Sequence, residues 1–180
     1  MAQDKLGVVI VGKGGEGVAL AADILGLAAT MDGKFSSSRS TYGASQRGES
    51  VFSEVVISNK PVIYPFVEEP EFIIVLSRLG FEAYFDTQVT GKIKLADETR
   101  LFFDTTTRLD VTELTYNVKT IQIDIGTDVV NRNTILLGCF TRSSKAISKS
   151  SMENAIKQNV SKKYLKQNLK AFNFGYNSVP

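Results

Sequence analysis

Two short apolar runs, Leu6–Val11 and Phe72–Leu76, show no alternation of apolar and polar positions. Such runs predict strands buried on both faces. After the first, Val18–Thr30 is a continuous stretch rich in alanine and leucine. It predicts a helix whose small residues let it lie close against a sheet, stopped by Asp32-Gly33. Lys34–Gln46 is polar and serine-rich and predicts a short strand, then a long loop running through Arg47-Gly48-Glu49-Ser50. Val51–Ile57 alternates as a strand does, and Ser58–Pro61 is a turn. With Ile63 in a following short strand, residues 51–64 form an antiparallel hairpin.

Further on, the pattern predicts a helix over Leu79–Thr87 and strands at Lys92–Leu95, Leu101–Phe103 and Val118–Ile123. A helix over Asn131–Thr141 follows, with Gly138 as a close-packing point. Ser150 and Glu153 have capping-box spacing and open a helix to about Val160. A last helix runs from Ser161 or Lys162 to Phe172, and Asn173–Pro180 reads as a frayed or partner-bound tail. Strands separated by helices define an α/β fold, a Rossmann-like three-layer domain with a mostly parallel sheet and an antiparallel hairpin. The expectation is one domain over residues 1–180, a length ample for one core and short for two.

Composition narrows the chemistry. Apolar residues make up 43% of the chain, as in a globular domain. The formal net charge is only +2, so no general electrostatic case exists for a nucleic-acid or membrane partner. That balance hides an asymmetry: Arg142–Lys170 holds eight basic residues against Glu153, a local charge of +7 that leaves −5 elsewhere. This segment reads either as a solvated helical face or as a docking surface for an acidic partner or phosphate-bearing ligand. There is no histidine, which excludes histidine-based zinc sites, triads and proton relays within this chain. Cys139, the single cysteine, lies in an apolar run and reads as a buried small hydrophobe. One cysteine supports neither a disulfide framework nor a thiolate-held cluster. The N-terminus lacks a signal-peptide pattern, and no apolar stretch approaches the ~20 residues of a membrane span, so the cytoplasm is the expected location.

The candidate chemistry lies in two loops. Gly12-Lys13-Gly14-Gly15-Glu16-Gly17 joins the first strand to the first helix. Glycines there permit positive φ and close backbone approach, and the helix start offers N–H groups to an anion. The pattern satisfies G-x-G-x-x-G, yet Asp32 precedes the next strand instead of ending it, where a dinucleotide fold holds its ribose. No Walker A lysine follows, and Glu16 opposes a bound phosphate. Three readings stand: a phosphate-bearing ligand, a partner's backbone or acidic group, or a structural tight turn. The second loop displays Tyr42, Gln46, Arg47 and Glu49 beside Gly43, Gly48 and Ser50, and Arg47 suits a carboxylate or phosphate. Asp104, Asp110, Asp124 and Asp128 are scattered near strand ends and form no catalytic pair.

The chain resembles the gamma subunit of 2-oxoacid:ferredoxin oxidoreductases of the 2-oxoglutarate and pyruvate type. The likeness rests on Gly12-Lys-Gly-Gly-Glu-Gly-Val18, on Tyr42-Gly43 with Arg47-Gly48-Glu49-Ser50, and on Val55-Val-Ile-Ser58 followed by Ile63-Tyr64-Pro65. It continues through Pro70-Glu71 and Ser77 around the second apolar run, then Leu136-Leu-Gly138, Ser151–Ile156 and Asn168–Tyr176. These segments keep family order over nearly the whole chain. The resemblance implies an auxiliary subunit, inactive alone, of an enzyme that oxidatively decarboxylates a 2-oxoacid to an acyl-CoA and passes electrons to ferredoxin. It implies thiamine diphosphate on alpha and beta subunits and iron–sulfur clusters on a ferredoxin-like delta subunit, with this chain holding none of these cofactors itself. It further implies contact with coenzyme A or with the cofactor-bearing neighbours through Gly12, Gly14, Gly15, Glu16, Gly17, Tyr42, Arg47, Gly48, Glu49 and Ser50. Glu16 stands where the family has glutamine and Glu49 where it has a second glycine, so both departures add negative charge to these loops. A separate NAD- or flavin-binding domain and a purely structural assembly subunit are the alternatives.

Overall fold

The computed structural model describes residues 5–42, 49–86, 94–109, 111, 118–126 and 131–179. Six strands form one sheet: β1 (Lys5–Lys13), β2 (Phe35–Tyr42), β3 (Ser50–Ser58), β4 (Phe72–Val75), β5 (Thr99–Asp104) and β6 (Val118–Ile123). Their order is β2-β3-β1-β4-β5-β6. β1, β4, β5 and β6 pair in parallel, while β3 runs antiparallel between β2 and β1. Five helices accompany them among the described residues: α1 (Val18–Met31), α2 (Arg78–Phe85), α3 (Arg132–Ser144), α4 (Lys149–Asn159) and α5 (Lys162–Asn177).

Alternate residues of the central strands feed two cores, as the two-residue period of a strand requires. Val8, Ile10, Ile74 and Phe102 join α1, α3, α4 and α5 on one face. Val9, Val11, Ile73 and Phe103 meet Phe81 of α2 on the other. The result is the expected three-layer α/β fold with a mostly parallel sheet.

Several boundaries differ from expectation. The antiparallel partners of β3 are β1 and β2, not residues 62–64; Ile63 is 95% exposed and lies outside any strand. β2 compensates for its polar sequence with cross-strand bonds, Ser40 to Ser53 at 2.7 Å between hydroxyls and Arg39 to Glu54 at 2.9 Å. Lys94 and Leu95 are not in a strand, and the other half of that predicted strand lies outside the described residues. The cap of α4 is Ser148, two residues before Ser150; its hydroxyl accepts from the Ser151 N–H at 3.2 Å. Asn173–Asn177 is helical, because Gly175 seats α5 directly on α3. Gly138 is the close-packing point on the α3 side: a Cβ there would lie 2.2 Å from the Phe172 carbonyl oxygen.

Cys139 is fully buried in this helix pair, and its thiol donates to the Gly175 carbonyl at 3.2 Å. Burial pushes the thiol up to about 12. The thiolate is the reactive form, so Ellman's reagent at pH 8 is expected to leave the folded chain unmodified and to titrate one thiol per chain once guanidinium unfolds it. Rapid labelling of the native chain would contradict this packing.

Candidate functional site

β1 and β4 flank the point where the strand order reverses, and in open α/β sheets ligands bind at the carboxyl ends of such strands. The glycine turn follows β1 at that edge. Gly15 and Gly17 have φ of 100° and 80°, the left-handed region that favours glycine. Gly12 is required for closeness instead. A Cβ there would lie 2.9 Å from a Glu16 carboxylate oxygen and 2.8 Å from Val18. α2 presses on the same spot, since a Cβ on Gly80 would meet the Gly12 nitrogen at 2.3 Å.

The Glu16 side chain folds back over the turn. Its Oε2 accepts from the Lys13 N–H at 2.6 Å, while the Glu16 N–H donates to the Lys13 carbonyl at 3.0 Å. The Gly14 N–H donates to the Glu49 carbonyl at 2.8 Å. Three N–H groups of the glycine turn, those of Lys13, Gly14 and Glu16, therefore already have protein acceptors. The start of α1 has no side-chain cap, so its first N–H groups lack the partner that capping supplies.

The sheet register unites the two predicted loops. Lys13 pairs with Ser50 and Gly12 with Val51, and Val51 pairs in turn with Tyr42. Gly12, Gly14, Gly15, Glu16, Gly17, Glu49 and Ser50 thus share one edge with the backbone of Tyr42. Arg47 and Gly48 lie outside the described residues, as do Asp110 and Asp128.

Asp104, which the sequence pattern places near a strand end, completes this edge with polar groups that the pattern did not single out. Asp104 ends β5 fully buried and accepts from Arg132 Nε at 2.9 Å, Thr106 N–H at 3.2 Å and Ile125 N–H at 3.4 Å. Asn133 Nδ2 donates to the Gly17 carbonyl at 3.3 Å, tying α3 to the glycine turn. Ser77 Oγ and Asn131 Nδ2, on the N-cap residues of α2 and α3, are buried without a hydrogen-bond partner. The available signal was positional: Ser77 and Asp104 come at or just after the end of a buried parallel strand. At the turn itself the Glu16 carboxylate takes the Lys13 N–H and opposes a bound phosphate. Among the described residues, no group of three or more His, Cys, Asp or Glu is placed to hold a metal. No helix among them is long and apolar enough to cross a membrane.

These features define a doubly wound α/β domain whose carboxyl edge offers donors to an anion but gathers no nucleophile–base pair among the described residues. Residues 7–178 match the pyruvate ferredoxin/flavodoxin oxidoreductase family. The 2-oxoglutarate synthase subunit KorC of Methanocaldococcus jannaschii is 37% identical over 169 residues, spanning 92% of this chain and 89% of that protein. The gamma subunit of keto/oxoacid ferredoxin oxidoreductase from Geobacter sulfurreducens superposes with a TM-score of 0.78 at 26% identity, covering 98% and 97% of the two chains. The 2-oxoglutarate:ferredoxin oxidoreductase of Magnetococcus marinus, solved with 2-oxoglutarate, coenzyme A and succinyl-CoA, shares the fold. Its TM-score is 0.80 at 18% identity, over 97% of this chain and 31% of that one. The chain belongs to the pyruvate ferredoxin/flavodoxin oxidoreductase family and is a gamma-type subunit of a heteromeric 2-oxoacid:ferredoxin oxidoreductase.

Proposed function

We propose that this chain, as one gamma-type domain in the cytoplasm, serves oxidative decarboxylation of a 2-oxoacid to an acyl-CoA with electrons leaving to ferredoxin. Its neighbours are thiamine-diphosphate-binding alpha and beta subunits and a ferredoxin-like delta subunit. Thiamine diphosphate and iron–sulfur clusters supply the carbon and electron chemistry from those subunits, the usual division of labour in cofactor enzymes. The favoured oxoacid is 2-oxoglutarate, on the strength of the 37% identical KorC relative.

The observation that carries a role for this chain's own residues is the β1–β3 register. It sets Gly12–Gly17 beside Glu49 and Ser50 at the carboxyl edge. We assign that edge, with Tyr42, Arg47 and Gly48 from the adjoining loop, to contact with coenzyme A or with the subunit that presents it. Glu16 limits this contact by keeping a carboxylate over the turn. In the purified complex, Glu16→Gln is expected to lower the KM for coenzyme A about fivefold with little change in kcat, equivalent to ~1 kcal/mol of relieved repulsion. If neither constant moves in Glu16→Gln or in Glu49→Gly, the edge serves assembly alone. Purification of the chain from its native source without thiamine-diphosphate- and iron–sulfur-containing partners would remove the reading altogether.

A further inference from the structure

The end of the molecule opposite the glycine turn holds a second concavity, where α1 and α3 finish and α4 begins. Its volume is ≈ 500 Å³, within the roughly 300–1,000 Å³ of small-molecule sites. Asp32, Lys34, Arg142, Lys145, Lys149 and Tyr176 line it. The lining thus carries four cations against one carboxylate.

That carboxylate is already occupied. Asp32 Oδ1 accepts from the Ser148 and Ser151 hydroxyls at 2.7 and 2.6 Å, and Oδ2 from the Ser148 N–H at 2.5 Å. Burial alone would raise its carboxyl, but these donors and the Lys34 charge outweigh burial and hold it below its ordinary value. Two of the cations are anchored. Lys34 donates to the Ala146 carbonyl, and Lys149 stands 3.9 Å from Glu153 and 4.8 Å over the Tyr176 ring. Arg142 lies 5.6 Å over the same ring. Among the described residues, neither Arg142 nor Lys145 has an ion-pair partner. Like charges gathered around one hollow repel each other unless an anion lies between them. This hollow is also where the +7 segment begins, a feature the carboxyl-edge site does not use.

We propose that this cleft binds a diphosphate group, free or borne by a nucleotide. A terminal phosphate carries roughly −1.5 to −2 at neutral pH, so one phosphate leaves part of the lining uncompensated and a diphosphate matches it. Arg142 supplies a guanidinium fork for two phosphate oxygens, and Lys145 and Lys149 act as point charges beside it. Tyr176 forms the aromatic wall.

The test is calorimetric titration of the full chain, alone and within its complex, with sodium pyrophosphate and separately with ADP. Salt is held at about 0.1 M, where the Debye length is ~10 Å. Saturable one-site binding is expected, weakened roughly tenfold or more, ~1.4 kcal/mol, by Arg142→Gln combined with Lys149→Gln. Lys13→Gln at the glycine turn is expected to leave it unchanged. Tighter binding of ADP than of pyrophosphate identifies a nucleotide as the source; equal or weaker binding identifies free diphosphate. Both replaced side chains reach solvent, and circular dichroism checks that the fold survives. The proposal is overturned if neither probe saturates in the millimolar range, or if binding ignores the Arg142 and Lys149 replacements. It is equally overturned if a polyglutamate peptide occupies the cleft where pyrophosphate does not, which would mark a surface for an acidic protein segment.

Discussion

Asp104→Ala is expected to destabilise the chain by about 3 kcal/mol, the lower end of the ~3–5 kcal/mol lost when one member of a buried ion pair is removed. The lower end applies because Arg132 is partly solvated, with 28% of its side chain exposed against 0% for Asp104. The carboxylate also takes the Thr106 hydroxyl at 2.5 Å, and Arg132 Nη2 donates to that same hydroxyl at 3.2 Å. One side chain thereby fastens the turn after β5, the backbone after β6 and the start of α3. Alanine strips the acceptor from two backbone N–H groups and the counter-charge from a guanidinium. For a chain of this size the melting temperature falls about 6–12 °C, at ~2–4 °C per kcal/mol. Asparagine keeps an acceptor and loses the charge, so its effect is smaller. The double replacement Asp104→Ala with Arg132→Met is expected to cost less than Asp104→Ala alone, because no orphaned charge remains. Scanning calorimetry of the three variants checks this; a single alanine variant melting like the parent would show that the carboxylate does not hold these loops.

The strands that the sequence made legible are those buried on both faces. Leu6–Val11 and Phe72–Leu76 supply β1 and β4 in the structure because uninterrupted apolar runs have few other soluble destinations. β2 was harder to place. Its serines satisfy each other and β3 across an edge, so its pairing is written in cross-strand bonds instead of apolar period. Pro61–Pro65 has the composition of a turn and a strand start, yet Ile63 finds no sheet edge free beside β3, which β1 and β2 already flank. At the C-terminus, Asn173–Pro180 reads as a fraying or partner-bound tail until α3 supplies a surface for Gly175.

The glycine turn was legible as local chemistry, and its neighbours were not. Ser77, Asp104 and the Arg132-Asn133 pair are far apart in sequence, and a parallel sheet sends every one of their loops to the same edge. The role of Glu16 turns on where its carboxylate folds. Spacing places its carboxylate near a phosphate site, and the structure puts that carboxylate on the Lys13 N–H, where it substitutes for an anion within the turn.

Two glycines in helices should respond to alanine with opposite signs. In an open helix interior, alanine is favoured over glycine by ~0.8–1.0 kcal/mol. At Gly26 of α1 a Cβ would find only Ser36 Oγ at 3.5 Å, an ordinary contact, so Gly26→Ala is expected to stabilise by up to about 1 kcal/mol. At Gly175 the same methyl would lie 1.9 Å from the Ile135 carbonyl oxygen and 2.7 Å from its carbon. Those atoms belong to the backbone of α3 and cannot turn aside, so the two helices must separate. Overpacking of a core costs ~1–3 kcal/mol and occasionally more, and rigid backbone on both sides places this contact at the top of that range. Subtracting the helix preference leaves Gly175→Ala destabilised by about 2 kcal/mol, or ~4–8 °C in melting temperature. Separation would also break the Cys139 thiol contact with the Gly175 carbonyl. Gly175→Ala is therefore expected to label faster with Ellman's reagent as well as to melt earlier, whereas Gly26→Ala should do neither. A Gly175→Ala chain as stable as the parent, with its thiol still protected, would mean that α5 does not rest on α3 through Gly175.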